Sequence, residues 1–238
     1  MKRLAFFITA LLLTTGMAQA QYCATQPGTQ LNYSRYQPKS KKTLSQVSYI
    51  TKAEMRDGIL TVEQRNRMLG AAASATDTLE FVRFEYDGKG TTNLIEMSEE
   101  TMEQLFVQTT EATANDMKEA KSKGLSFQGS IVIPLKEDAK EGETFSDCTL
   151  VYKVGSMKFT TKLSEGKYEG YETIRTPAGE FRCLRVSYKA TLKVSFVSDT
   201  SLITEWYAPG VGLVKSLEKT TKGKLVEEIT LTSITTKQ

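Results

Sequence analysis

Leu184, Val186, Tyr188, Ala190, Leu192, Val194 and Phe196 alternate without a miss against Arg185, Ser187, Lys189, Thr191, Lys193 and Ser195. A period of two sends successive side chains to opposite faces, so residues 182–197 are expected to form one long strand, wet on one side and buried on the other. Burying that face contributes on the order of 10 kcal/mol before chain entropy is subtracted, enough to anchor a core. The alternation recurs at 202–207, 211–220 and 225–234, with turn chemistry at Asp199-Thr200-Ser201, Pro209-Gly210 and Lys222-Gly223. Pro209 presets its own φ, and Gly210 tolerates the positive φ that follows it in a type II turn. An antiparallel meander of four strands results.

Weaker alternation marks strands at 30–35, 44–52, 58–66, 78–86, 125–133, 149–163 and 168–175, punctuated by Asp87-Gly88-Lys89-Gly90 and Thr176-Pro177-Ala178-Gly179. One stretch has helical spacing. After Met97, Ser98 can cap free amides, Glu99 and Glu100 complement the helix dipole, and Met102, Leu105 and Phe106 fall on one side. This insertion runs, with breaks, over 98–121. The expected fold is mainly β: a single curved antiparallel sheet or barrel-like meander of about eleven strands, with the helical insertion covering its open side. No linker and no fixed-period repeat divides the chain, so 21–238 is expected to be one domain.

The first residues belong to another category. Lys2 and Arg3 precede an apolar run from Leu4 to Leu13, and Ala18-Gln19-Ala20 places small residues at the positions a signal peptidase requires. Residues 1–20 therefore read as a cleaved secretory signal, the run being too short for the roughly 20 residues of a membrane span. Ala20-Gln21-Tyr22 before Cys23 does not fit a lipid-attachment site. Taking Lys2 and Arg3 from the 31 basic residues leaves 29 against 28 acidic ones. A mature chain so close to neutral has no long-range field for nucleic acid. No membrane span remains after processing, and the expected location is the periplasm or the cell surface.

Composition narrows the chemistry further. The 238 residues are 39% hydrophobic and 25% charged, as in ordinary globular proteins, and they include no histidine. That removes the Ser-His and Cys-His nucleophile pairs and every histidine metal site. No phosphate loop, dinucleotide fingerprint or calcium loop is present, so no catalytic, metal or cofactor residue is assigned. In an oxidising compartment Cys23, Cys148 and Cys183 allow one disulfide and one free thiol. Joining Cys23 to Cys183 would close roughly 160 residues, and Cys148 to Cys183 about 35, for on the order of 5 and 4 kcal/mol. Loop entropy does not choose between them.

Three C-terminal motifs carry a resemblance: Thr176-Pro177-Ala178-Gly179-Glu180-Phe181-Arg182-Cys183, then the run from Glu205-Trp206-Tyr207-Ala208-Pro209-Gly210-Val211-Gly212 to Ser216, and Leu231-Thr232-Ser233-Ile234. Together they resemble the TapB-like family of exported bacterial proteins, related to a wider group of periplasmic β-barrel-like domains of unknown function. The resemblance implies a curved sheet or barrel, carries no catalytic residue or ligand, and favours Cys23 with Cys183 as the disulfide. Physically, Pro177 and Gly179 fix a hairpin turn and Phe181 packs at the strand base. Trp206 is expected to fill a barrel mouth or core. Glu205, on the opposite face, is placed within reach of neighbouring lysines.

The functional expectation is a non-enzymatic envelope protein whose curved sheet binds an apolar small molecule or a partner protein. The alternatives are a structural or assembly component of the envelope and a carboxylate-based hydrolase, whose chemistry needs no histidine.

Overall fold

The computed structural model describes residues 21–69, 80–110 and 113–236. The signal segment, the Ala71-Ala72-Ala73 loop and the start of the strand expected at 78–86 lie outside them. The elements in chain order are β1 (Thr29–Gln37), β2 (Lys42–Arg56), β3 (Ile59–Leu69), β4 (Glu80–Tyr86), β5 (Thr91–Ser98), α1 (Glu99–Thr110), α2 (Ala114–Ser122), β6 (Ser126–Lys136), β7 (Thr144–Phe145), β8 (Cys148–Val154), β9 (Met157–Thr176), β10 (Gly179–Val194), β11 (Val197–Ala208), β12 (Gly212–Thr220) and β13 (Leu225–Thr236). Every pairing is antiparallel. The order runs from β10 through β13 to β1, on through β6, and back by β8 and β9, and a β9–β10 ladder joins the ends. The result is a closed barrel of 12 strands. Closure satisfies the edge amides that an open sheet would expose.

Inward positions stack into rows across neighbouring strands. Val62 stands opposite Phe84, Phe84 opposite Leu94 and Leu94 opposite Ile133, a continuous apolar band over β3 to β6. With Leu150, Leu163, Tyr168, Leu184 and Val186 they form the main core.

The two barrel ends differ. At one, the segment before β1 closes the floor: Gly210 N–H donates to Gln21 O (2.7 Å), Ala24 N–H to Val211 O (3.1 Å) and Tyr22 N–H to Thr92 Oγ1 (3.1 Å). Tyr22 and Cys23 are almost wholly buried there. At the other end stand α1 and α2 and the β8–β9 and β10–β11 hairpins. Met102 of α1 packs onto the core, so the insertion covers part of this opening.

Four expectations are corrected. β5 is a strand where none is expected, because Thr92 and Glu96 interrupt its apolar alternation, Glu96 sitting where the β5–β6 register slips. The strand expected at 149–163 is a hairpin: Val154 faces Met157 across Gly155 and Ser156, and Gly155 adopts φ +59°. The break expected near 164–167 is a bulged region inside β9, where Phe145 of β7 lies against Gly166. A Cβ on Gly166 would sit 2.2 Å from that ring. Finally, β10 ends at Val194 and turns through Ser195 and Phe196, so Asp199-Thr200-Ser201 is strand rather than turn. Period-two alternation continues through a two-residue hairpin and cannot mark where it folds back. The helical insertion divides at Thr113, whose side chain forms a capping box with Asp116.

Candidate functional site

Toward the helix-covered end, polar groups replace the apolar rows. Val186, Glu205, Ser216, Ile229 and Arg35 stand opposite one another across β10, β11, β12, β13 and β1. Arg35 binds Glu227 through Nη2 (2.5 Å) and Nε (3.1 Å) and donates from Nη1 to Gln46 Oε1 (2.9 Å). Glu227 also accepts from Gln37 Nε2 at 3.1 Å. On β2 and β3, Ser48 Oγ (2.7 Å) and Gln64 Nε2 (2.9 Å) donate to Asn66 Oδ1. Buried polar groups are tolerated when they are bonded in this way, and such networks fix one arrangement of the strands that carry them.

Two adjoining chambers lie along these rows, of about 300 and 390 Å³. Val82, Phe84, Leu94, Met102 and Leu213 give the first its apolar wall, and Gln46, Gln64 and Asn66 its polar side. Leu163, Tyr188, Ala190, Leu192 and Ile203 line the second. Arg35, Glu96, Glu205 and Ile229 border both.

Glu205 is the chemically distinctive group. Its Oε2 accepts hydrogen bonds from Tyr188 Oη (2.9 Å) and Tyr207 Oη (2.7 Å), and among the described residues no lysine forms an ion pair with it. The lysine partnership expected from the sequence is therefore replaced by a tyrosine pair, because Glu205 faces inward while the lysines of β10 and β12 face out. Burial pushes the carboxyl above the usual carboxylate range, against the lowering effect of the Tyr207, Tyr188 and Ser216 hydrogen bonds. The same burial, with the Glu205 charge, holds both tyrosine hydroxyls well above their ordinary values, so they remain donors.

A raised carboxyl favours folding most when protonated. Its contribution is complete below the unfolded value near pH 4.5 and falls as pH rises through the folded value. Glu205→Gln, which has no charge to desolvate, is expected to gain stability relative to wild type between pH 4.5 and 8. Thermal unfolding of both proteins across that range checks this; a constant difference would show that Glu205 titrates normally.

A family model described as DUF3108-like matches residues 26–231. The chain belongs to the DUF3108-like family. Its barrel is similar to a proposed lipoprotein from Parabacteroides distasonis ATCC 8503 (TM-score 0.65, 16% identity) and to a proposed exported protein with a YmcC-like fold from Bacteroides fragilis NCTC 9343 (TM-score 0.63, 18% identity). Each alignment covers 91% of this chain and 99% of the other. At such identities the likeness establishes the fold. Comparison with curated proteins gives no match. Among the described residues, no helix is long and apolar enough to cross a membrane.

The motifs read from the sequence fall in four places in this DUF3108-like barrel. Glu205 and Tyr207 reach the chambers. Pro209, Gly210 and Gly212 form the floor that receives the N-terminal segment; at Gly212, φ is +104° and a Cβ would lie 3.6 Å from Tyr22 O. Trp206 turns away from the chambers into a second cluster with Leu31, Cys183, Val214 and Leu231, against which Phe181 packs. Its Nε1 donates to Glu172 Oε2 at 3.0 Å. Pro177 and Ala178 make the two-residue turn between β9 and β10, followed by Gly179 at φ +139°.

The expected Cys23–Cys183 disulfide is absent, and all three cysteines are free thiols. Leu184 faces the main core, so Cys183 beside it on β10 points the other way into the second cluster, while Cys23 lies in the main core. Burial pushes both thiols up to about 12. The residues that sequence reasoning missed are Arg35, Gln46, Gln64, Asn66, Glu96 and Glu227. Their one signal was polar side chains at positions where strand alternation calls for apolar ones, as in Val62, Gln64 and Asn66.

Proposed function

We propose that this DUF3108-like protein is an exported, non-enzymatic envelope protein that binds a small amphipathic molecule inside its barrel, in the periplasm or at the cell surface. The observation that carries the reading is the pair of adjoining chambers at the helix-covered end. Ligand pockets are characteristically concave and mostly apolar, with a few polar groups fixing orientation. Here an apolar wall around Phe84 and Leu94 faces Glu205, Gln64 and Arg35. An apolar body would lie along the wall and a hydrogen-bonding end would meet the polar row. The finer resemblance to the TapB-like proteins, carried by the motifs around Cys183 and Trp206, forms part of the same proposal.

N-phenyl-1-naphthylamine, a neutral apolar fluorophore, serves as the probe. Saturable one-site fluorescence enhancement is expected, along with its loss in Ile229→Trp, which fills the border of the two chambers. Native mass spectrometry of protein from the exporting cell should show a co-purifying small molecule. No enhancement, or equal enhancement in a folded Ile229→Trp protein, would overturn the reading.

A carboxylate-based hydrolase is the second reading, favoured because Glu96 and Glu205 border the same chambers. Turnover of aryl glycosides that disappears in Glu205→Gln would support it.

A further inference from the structure

The β8–β9 and β10–β11 hairpins rise side by side at the helix-covered end. Phe159 pairs with Val194, and Ser195 N–H donates to Lys158 O at 3.2 Å, so the two turns are neighbours. Strand alternation gives this flap two unlike faces. Val154 stands opposite Met157 and Tyr152 opposite Phe159, their rings stacked at 4.5 Å. Through the Phe159–Val194 pair, the apolar face joins that of Leu192, Ala190 and Tyr188, which line the second chamber. A largely apolar surface therefore runs from the turns into the barrel, interrupted by Thr161 and Asp199 on either side of Leu192.

The turns themselves are exposed and apolar. Phe196 is 103% exposed, Val197 73%, Met157 51% and Val154 49%. Exposed large apolar groups clustered in this way mark an interaction surface. The other face carries charge. Lys153 stands opposite Lys158, and Lys193 lies on the adjoining strand. Lower on the flap, Lys162 pairs with Asp147 at 2.9 Å and Lys189 with Glu165 at 2.6 Å. Lys153, Lys158 and Lys193 form no ion pair among the described residues, and the nearby Asp199 stands opposite Leu192, on the chamber face of the flap rather than on theirs. A chain whose mature charge is close to neutral thus concentrates unpaired positive charge around its most exposed apolar groups.

We infer that this flap is a membrane-docking surface that seats on anionic phospholipid, with Phe196, Val197 and Met157 entering the interface and the three lysines meeting headgroup phosphates. The combination decides the partner. Apolar side chains at hairpin turns, flanked on one face by basic ones, suit a surface that is greasy in depth and negative at its boundary. Docked in this way, the mouth of the second chamber faces the lipid, and the apolar face of the flap connects the two. The inference goes beyond the ligand-binding reading and does not depend on it.

Sedimentation with vesicles tests it. Phosphatidylcholine vesicles containing one part in three phosphatidylglycerol are expected to carry the protein down, and pure phosphatidylcholine vesicles far less. Phe196→Ser with Val197→Ser should lower partitioning about tenfold or more, since each loses an apolar group to bury. Each of Lys153→Gln, Lys158→Gln and Lys193→Gln should cost about fivefold on the anionic vesicles, and high salt should reproduce that loss. All five positions are exposed or at a turn, so the variants should keep the wild-type melting temperature and probe fluorescence. If those hold while partitioning is unchanged, or if wild type stays in the supernatant with anionic vesicles, the docking surface is refuted and the chamber reading stands. Concentration-dependent dimerisation that the serine pair abolishes, without vesicle binding, would equally refute it by assigning the surface to a second copy.

Discussion

Replacing Gly129 by alanine is expected to destabilise the barrel by about 4 kcal/mol or more, a large fraction of the total stability of a typical domain. Two costs combine at this position. Gly129 adopts φ +88°, which an L side chain enters at about 1–2 kcal/mol. A Cβ there would also lie 2.1 Å from the Thr149 carbonyl oxygen, a backbone atom fixed by the β6–β8 ladder that cannot step aside. Gly223→Ala is the control: φ is +79°, but nothing lies within 4 Å of the added carbon. It should lose only about 1 kcal/mol. Urea unfolding of the two variants measures the difference, and equal losses would mean that the close approach at Gly129 is wrong.

Trp206→Ala should cost about 3–5 kcal/mol, the range for emptying a buried aromatic site. Trp206 is 7% exposed, and its second cluster joins β1, β11, β12 and β13 to the β9–β10 hairpin. The ring also supports Lys215, whose ammonium lies 5.9 Å from its centroid, and donates to Glu172. Trp206→Phe retains most of the packing and loses the hydrogen bond, so about 1–2 kcal/mol is expected. Because Trp206 does not border either chamber, the alanine variant should bind N-phenyl-1-naphthylamine normally at a temperature where it remains folded. Loss of probe binding by folded Trp206→Ala would contradict that placement.

The two substitutions test different kinds of information. That Trp206 would be buried was legible from its place in a strand beside the Pro209-Gly210 turn. That its neighbour Glu205 would meet two tyrosine hydroxyls was not, since Tyr188 and Tyr207 reach it from one adjoining strand and from its own strand once the barrel curvature brings them inward. The cysteines show the same limit. Loop closure permitted either pairing, family resemblance favoured Cys23 with Cys183, and side-chain direction on β10 placed the two thiols in separate clusters.

Period-two alternation and the turn residues between its runs determined that the chain is β-rich and antiparallel and where most strands lie, and helical spacing with a cap at Ser98 determined that a helical insertion follows Met97, because those properties depend on neighbours along the chain. The absence of histidine likewise removed whole classes of chemistry without any coordinates. Closure through β9 and β10, the floor made by the N-terminal segment, and the exchange of apolar for polar rows around Glu205 were decided by tertiary structure alone. Each depends on which strand lies beside which, and a one-residue change in register would send the same side chains to the opposite face.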